Sequence, residues 1–202
     1  LSYPPFSFGF LAWIAFIPLL HCIAKEEKIG QKALFGFVAC FSSNLIILNW
    51  MGLNSGTSPM IAIISYLALS LYLTIFWIAF IISTHFIPKK MQLFLTPLSW
   101  IFFVEFLRNM GPLAGPWMNL SLTQSEYIWI IQLASIEVHA ISFMVIFFNL
   151  ILYRFFIERN TIFLKYFILT LCSILFFGNY HVKSQNNRPI EKSVNISIGQ
   201  PS

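Results

Sequence analysis

Long apolar stretches alternate with short polar ones along most of this chain. A helix needs about 20 apolar residues to cross a bilayer, and in lipid a helix satisfies its own backbone hydrogen bonds. The fourth stretch is short and contains Pro97. The pattern predicts an all-α polytopic membrane bundle over residues 1–180. The predicted spans are six, at 6–24, 33–53, 59–87, 91–107, 128–153 and 161–180.

The end of the chain has a different pattern. Residues 181–193 are polar and contain the Asn and Pro residues typical of a linker. Within 194–202, Val194, Ile196 and Ile198 alternate with polar residues, which is the period-two pattern of a half-buried β-strand. Because one strand cannot fold without partners, we expect this segment to begin a second, soluble domain that contains β-structure.

The composition fits a membrane protein and excludes most soluble classes. Hydrophobic residues make up 58% of the chain, charged residues make up 9%, and the mean hydropathy is +0.78. A soluble domain carries about a quarter charged residues. The net charge of +5 does not indicate nucleic acid, because the basic residues are scattered between apolar blocks. We therefore expect no nucleic-acid partner.

The basic residues instead predict the orientation in the membrane. Eight of the 12 Lys and Arg residues lie in or beside the loops that follow the first, third and fifth stretches: Lys25, Lys28, Lys32, Lys89, Lys90, Arg154, Arg159 and Lys165. By the positive-inside rule these loops are cytoplasmic. With six spans, Leu1 and the C-terminal tail then both lie outside the cytoplasm.

Standard catalytic and metal-binding motifs are missing from the sequence. The chain has no GxSxG, no HExxH, no phosphate-binding Gly-rich loop and no Asp. Cys22, Cys40 and Cys172 lie in apolar stretches without metal-ligand spacing, so we expect small core or lipid-facing side chains. We predict no catalytic residue, no metal and no cofactor in this chain.

The most informative segment follows the fourth stretch. Glu105 and Arg108 are three residues apart, so on a helix they are neighbours that can pair at the outer membrane surface. A run rich in Gly and Pro then ends the helix and leads to Pro116–Trp117, and Gln124 follows. On these residues alone, the simplest interpretation is an interfacial aromatic anchor beside a solvated ion pair.

Glu137 and His139 lie within the fifth stretch. If Trp129 marks the interface, Glu137 is about 12 Å deeper at a helical rise of about 1.5 Å per residue. An ionisable group at that depth is costly and needs a partner. We expect a hydrogen bond to a neighbouring helix, with the gripping of a headgroup or amine as the alternative.

The order of these motifs resembles the apolipoprotein N-acyltransferase family. The resemblance rests first on Glu105-Phe-Leu-Arg108, a seven-residue gap, Pro116–Trp117 and Gln124. Further stretches match in the same order: Leu1-Ser2-Tyr3-Pro4-Pro5, Leu11-Ala12-Trp13, Ile17-Pro18-Leu19-Leu20, Asn49-Trp50, Gln132-Leu133-Ala134, Ser142-Phe143 with Asn149, and the strand pattern ending in Gln200-Pro201. The chain departs from the family at Glu137-Val138-His139-Ala140, where a Gly-Val-Tyr-Gly-like stretch is usual.

The resemblance implies a membrane part followed by an α/β nitrilase-like domain, whose first strand would start at 194 and whose Glu-Lys-Cys triad would lie beyond Ser202. Such proteins transfer an acyl chain from membrane phospholipid to the α-amino group of a diacylglyceryl apolipoprotein, in the bacterial inner membrane. The tail would be periplasmic, and this chain by itself would be inactive. The implied lipid- and substrate-binding residues are Trp117, Pro116, Arg108, Glu105, Trp50, Asn49 and Gln124.

Two other functions fit a six-span chain. One is a small transporter or channel, although charged residues inside the predicted spans are few. The other is a membrane scaffold fused to a glycosyl transferase. The sequence beyond Ser202 would distinguish them, because Glu, Lys and Cys at nitrilase spacing favour acyl transfer.

Overall fold

The computed structural model describes residues 2–3, 8–115, 118–159 and 161–187, and in these ranges the chain forms a bundle of helices. The α-helices are α1 (Ile17–Lys25), α2 (Ile29–Ile47), α3 (Asn49–Gly52), α4 (Pro59–Phe86), α5 (Gln92–Trp100), α6 (Ile128–Ile131), α7 (Ala140–Glu158) and α8 (Thr161–Asn186). Tighter 3-10 turns cover Gly9–Trp13, Lys89–Met91, Leu107–Asn109, Leu120–Gln124 and Gln132–Ser135, and a π-helix covers Ile101–Phe106.

Five helical segments of the described chain are long and apolar enough to cross a membrane. They are Ile29–Ile47, Pro59–Phe86, Lys89–Asn109, Ala140–Ile157 and Thr161–Asn186. The predicted all-α polytopic bundle is thus confirmed, with five long helices in place of six. The predicted span 91–107 is part of a longer segment, because the 3-10 turns at its two ends extend it.

The first predicted span, 6–24, is not one continuous helix. A 3-10 turn at Gly9–Trp13 precedes the nine-residue helix α1, which is only about 14 Å long at about 1.5 Å per residue. Pro18 lies in the first turn of α1, where its missing N–H costs nothing and its fixed φ favours a helix start. The proline therefore marks where α1 begins.

The fifth predicted span, 128–153, is also interrupted. It divides into α6, the 3-10 turn Gln132–Ser135 and α7, which begins only at Ala140. Glu137 lies in the break, is exposed, and accepts a hydrogen bond of 3.1 Å from the backbone N–H of His139. The expected hydrogen bond from Glu137 to a neighbouring helix is therefore wrong, since the carboxylate accepts a hydrogen bond from the backbone of its own turn.

The last helix is longer than predicted. α8 continues to Asn186, past the expected start of the linker at 181. His181 explains part of this extension, because its Nδ1 lies 2.7 Å from Oε1 of Gln132 and its ring stacks on Phe177 at 5.8 Å. Residues 188–193 and the predicted strand at 194–202 lie outside the described residues, so the second domain stays a prediction.

Successive long helices run in opposite directions and bring the basic loops to one end of the bundle. Nζ of Lys32 in α2 lies 3.2 Å from Nδ1 of His85 in α4. Arg154 at the end of α7 donates to the carbonyl of Lys89 at 2.7 Å. The predicted grouping of these loops is confirmed. Their assignment to the cytoplasm stays a prediction.

Aromatic side chains fill the centre of the bundle. Trp100 is 1% exposed, and its ring lies 5.0 Å from Phe16, 5.0 Å from Trp77 and 5.2 Å from Phe80. Apolar residues such as Ile46 and Phe176 are instead 71% and 77% exposed on the outside, as expected of surfaces that lipid covers. This cluster of Trp100 with Phe16, Trp77 and Phe80 packs beside the candidate site described below.

Candidate functional site

A cavity of about 220 Å³ opens among α1, α2, α4 and the segment 118–123. Its lining includes Ala39 and Ile47, which are eight residues apart on α2, so it extends along about 12 Å of this helix. Apolar residues form most of the wall: Ala12, Ala15, Phe16, Leu19, Trp77, Trp100, Met118 and Leu120. Polar groups also contribute: Ser2, Tyr3, Ser43, Asn44, Arg108 and Thr123.

Arg108 is the cation of this cavity and is only 2% exposed. Its Nη2 donates to Oδ1 of Asn119, and its Nη1 lies 3.5 Å from the carbonyl oxygen of Met118. Its Nε is buried and has no hydrogen-bond partner among the described residues. A buried donor without a partner costs about 1–3 kcal/mol, and more when the group is charged.

Tyr3 lies beside Arg108 on the cavity wall. Its hydroxyl donates to the carbonyl oxygen of Met118 at 3.0 Å. Desolvation raises the pKa of the Tyr3 phenol above its usual range, although the nearby charge of Arg108 acts in the opposite direction. The phenol is therefore neutral at ordinary pH and serves as a donor. It holds the same carbonyl that Arg108 contacts.

Glu105 is 1% exposed and binds three different parts of the chain. One carboxylate oxygen accepts from the backbone N–H of Leu120 at 3.0 Å and from Nε1 of Trp100 at 3.2 Å. The other oxygen lies 2.8 Å from Nδ1 of His139. Glu105 thereby joins the π-helix, the segment after Trp117 and the start of α7.

The expected pairing of Glu105 with Arg108 at a solvated surface is wrong. Both side chains are buried, and within the described chain each makes its hydrogen bonds to other residues. The backbone explains the difference, because the π-helix Ile101–Phe106 is followed directly by the 3-10 turn Leu107–Asn109. Residues three apart are neighbours on an α-helix, but the wider turn of the π-helix changes that register, and π-turns frequently occur at functional sites.

Pro116 and Trp117 lie outside the described residues, but their neighbours are placed. The N–H of Gly115 donates to the carbonyl of Arg108 at 3.3 Å, and Met118 contacts the guanidinium of the same residue. The loop that carries the Pro-Trp motif is therefore attached to Arg108 on both sides.

Gln124 has a positioning role next to the cavity. It is fully buried, accepts from Nε1 of Trp13 at 2.9 Å and donates to the carbonyl of Gly9 at 2.9 Å. A Cβ on Gly9 would lie 2.0 Å from the carbonyl oxygen of Thr123, so only glycine permits this close approach. These contacts hold the N-terminal segment against residues 120–124.

The remaining predicted residues are not part of the cavity. Asn49 and Trp50 lie on α3, both are exposed, and Trp50 is 60% exposed. Neither lines the cavity that contains Arg108. Trp50 is thus a surface aromatic residue.

One contributor, Asn44, was not identified from the sequence. Asn44 lines the cavity and donates to the carbonyl of Ser70 at 3.1 Å and to Oγ1 of Thr74 at 3.3 Å; a lone amide within an apolar stretch was the available signal. His139 was noticed, but its partner Glu105 is 34 residues away in the chain. Across the described ranges, no group of three or more His, Cys, Asp or Glu residues could hold a metal ion.

Comparison with known proteins shows which family the chain belongs to. No solved structure matches the chain. The apolipoprotein N-acyltransferase of Geobacter metallireducens is 31% identical over 162 residues, which cover 76% of this chain and 30% of that relative. The chain thus spans less than a third of the relative's length. Because the family model described as the apolipoprotein N-acyltransferase N-terminal domain matches residues 1–151, the chain belongs to that family.

Proposed function

We propose that this chain is the membrane part of an enzyme that moves an acyl chain from a phospholipid to an apolipoprotein. The acceptor is the α-amino group of the lipidated N-terminal cysteine. The proposal is supported by membership of the family and by five helices that can cross a membrane. The observation that carries it is the buried Arg108 on the wall of an apolar cavity, whose Nε has no hydrogen-bond partner among the described residues.

In the proposed reaction, a cysteine thiolate of a nitrilase-like domain attacks the carbonyl carbon of the phospholipid ester. The ester C–O bond breaks, the lysophospholipid leaves with a proton, and the acyl group forms a thioester. The α-amine then attacks the thioester, an amide forms, and the thiol is regenerated. A Glu and a Lys of that domain relay the proton and stabilise the developing charge.

The membrane part would bind the donor lipid and fix its depth. Arg108 would bind a phosphate oxygen, because a guanidinium makes strong, directional, charge-assisted bonds to phosphate. The cavity of about 220 Å³ is below the roughly 300–1,000 Å³ of sites that enclose a drug-sized ligand. It would hold part of one acyl chain, while the rest of the lipid lies outside. Because the protein would hold both lipid-borne substrates in place, their reaction would not need a separate bimolecular encounter, which is entropically costly.

The loop residues would control access to this site. Pro116 and Trp117 would lie at the lipid entrance, because Gly115 and Met118 on either side both contact Arg108. Trp50 would contact lipid from its exposed position on α3. The end of the bundle with Arg108 would face the periplasm of a bacterial inner membrane, together with the C-terminal tail.

The test is acyl transfer by the full protein with Arg108 replaced by Lys or Gln. Conversion of a diacylated lipopeptide to its triacylated form would be followed by mass spectrometry in phospholipid vesicles. We expect Arg108→Gln to lower kcat/KM at least about tenfold. Arg108→Lys should lower it less, since the lysine ammonium keeps the positive charge but lacks the bidentate hydrogen-bond geometry of the guanidinium. Lys165→Gln, which removes an exposed charge on α8, is the control. Folded Arg108→Gln protein with normal activity would contradict the role of Arg108.

A further inference from the structure

A second, larger cavity lies at the opposite end of the bundle, and the proposed acyl transfer does not use it. Its volume is about 680 Å³, within the roughly 300–1,000 Å³ range of ligand sites. Lys32, Lys89 and Arg154 line it from three different segments of the chain, whereas Leu20 and Leu150 supply apolar wall. We call this cavity the basic cleft.

Arg154 is held in a fixed orientation at the basic cleft. Its Nη2 donates to the carbonyl of Lys89 at 2.7 Å and to Oε1 of Gln92 at 3.1 Å. Its Cζ lies 5.7 Å from the ring centroid of Phe163, which is within cation–π range. A guanidinium that is already oriented loses less entropy when it binds a ligand.

Lys32 and His85 meet at the same cleft, although they come from α2 and α4. Nζ of Lys32 lies 3.2 Å from Nδ1 of His85, and an ammonium has only donors, so this imidazole nitrogen must be the acceptor. The pair thus presents the ammonium of Lys32 beside the imidazole of His85 on the cleft wall.

The carboxylates of the cleft do not cancel this charge. Glu26 and Glu27 also line it, but Glu26 accepts the backbone N–H groups of Glu27 and Lys28, both at 2.9 Å. Its charge is therefore partly satisfied within its own turn. The lining contains three cations and two carboxylates.

We propose that the basic cleft binds the phosphate-bearing headgroup of an anionic phospholipid, from the leaflet at that end of the bundle. Arginine and lysine supply charge-assisted bonds to phosphate, and basic pockets between membrane helices bind such headgroups. A lipid fits better than a soluble phosphate because Leu20, Ile23 and Leu150 give the cleft an apolar wall. An acyl chain can lie along that wall. This site is separate from the Arg108 cavity and does not depend on the proposed acyl transfer.

The test is retention of lipid by the full protein in detergent, measured by native mass spectrometry. Phosphatidylglycerol is the probe, phosphatidylcholine is the zwitterionic comparison, and glycerol phosphate is the soluble competitor. The main variant is Lys32→Gln with Lys89→Gln, because Arg154 contacts the backbone carbonyl of Lys89 and keeps that bond. Since each basic residue contributes to anionic-lipid binding, we expect phosphatidylglycerol affinity to fall roughly 10- to 30-fold, with phosphatidylcholine retention unchanged.

The matched control is Lys25→Gln with Lys165→Gln, which removes the same charge from exposed positions that do not line the cleft. It should lower the affinity less than about twofold. Equal losses in the two double variants would overturn the proposal in favour of general charge attraction. Displacement of the lipid by equimolar glycerol phosphate would overturn the choice of a lipid ligand. Arg154→Lys adds a second readout, because it keeps the positive charge but removes the bidentate geometry of the guanidinium. We expect this variant to weaken the retention of phosphatidylglycerol about threefold or more.

Discussion

Glu105 and Arg108 are both buried, yet each bonds the loop between the π-helix and α7 instead of the other. Glu105 accepts from the N–H of Leu120, and Arg108 donates to Asn119. Charged side chains are almost never fully buried unless they are partnered. The loop thereby gains two fixed points, and Nε of Arg108 has no hydrogen-bond partner within the described part of the chain.

The sequence could identify these two residues but not their partners. Their ionisable side chains stood out in an apolar stretch, and the structure buries both and places Arg108 on the cavity wall. The spacing rule that predicted a pair assumes an α-helix, and the π-helix Ile101–Phe106 changes which side chains share a face. Contacts such as Glu105 to His139 join residues 34 positions apart, and no local pattern contains them.

Removal of the Glu105 carboxylate should destabilise the fold. Glu105→Ala leaves the N–H of Leu120, Nε1 of Trp100 and the ring of His139 without their acceptor. We expect a loss of about 3–5 kcal/mol, as for breaking a buried pair by deleting one partner. Thermal unfolding of the purified protein in detergent measures this. Glu105→Gln keeps one oxygen acceptor and should cost much less; equal losses for both variants would contradict the hydrogen-bond explanation.

Trp117 should matter more for activity than for folding. An aromatic body with an N–H tip suits the boundary between acyl chains and headgroups, and the flanking residues Gly115 and Met118 contact Arg108. We expect Trp117→Ala to lower acyl transfer roughly tenfold or more, because misplacing a substrate is costly, while folded yield stays close to normal. Trp50→Ala is the comparison aromatic residue. Parallel losses of yield and activity would make Trp117 only a membrane anchor.

At the scale of elements, apolar length predicted the long helices but not their interruptions. The predicted span 59–87 corresponds to Pro59–Phe86 almost residue for residue. The interrupted first stretch instead depends on Asn149 of α7, which donates to the carbonyl of Ala12 at 2.7 Å and accepts from the N–H of Phe16 at 2.9 Å. A distant amide satisfies the backbone groups that a continuous helix would have paired. Hydropathy contains no information about such a bond.

Asn149 should therefore be essential for packing the first segment. In Asn149→Leu, the carbonyl of Ala12 and the N–H of Phe16 lose their partner in a buried place. Each unsatisfied backbone group costs about 1–3 kcal/mol, so we expect roughly 2–5 kcal/mol of destabilisation, measured by thermal unfolding. The same substitution at Asn179, an exposed residue of α8, should have little effect. A stable Asn149→Leu protein would show that the segment packs through its apolar contacts alone.

For the molecule as a whole, charge distinguishes the two ends of the bundle. The Lys and Arg pattern correctly placed Lys32, Lys89 and Arg154 at a common end, as their contacts show. The two cavities were not foreseeable, because each is lined by residues from four or more separate segments. A pattern along the chain reports the number and direction of the helices. The space between helices depends instead on how their side chains pack. At Gly36, for example, a Cβ would lie 2.8 Å from the side chain of Ile81.

The orientation of the bundle can be tested with two introduced cysteines. Gly30 is exposed at the basic end, and a Cβ there would meet nothing within 4 Å. Ser55 is exposed in the loop between α3 and α4, at the end where α2 finishes. Single cysteines at these positions, in a protein whose Cys22, Cys40 and Cys172 are replaced by Ala, report on opposite sides of the membrane.

If the basic loops are cytoplasmic, a membrane-impermeant thiol reagent should label Ser55→Cys in intact bacterial spheroplasts and Gly30→Cys only after lysis. The reagent reaches the periplasmic face alone while the membrane is closed. Acyl-transfer activity of each variant confirms that the fold and insertion are normal. Strong labelling of Gly30→Cys before lysis would reverse the orientation. The Arg108 cavity would then face the cytoplasm and the basic cleft the outer leaflet, and the proposed acyl transfer could not take place at the Arg108 end as described.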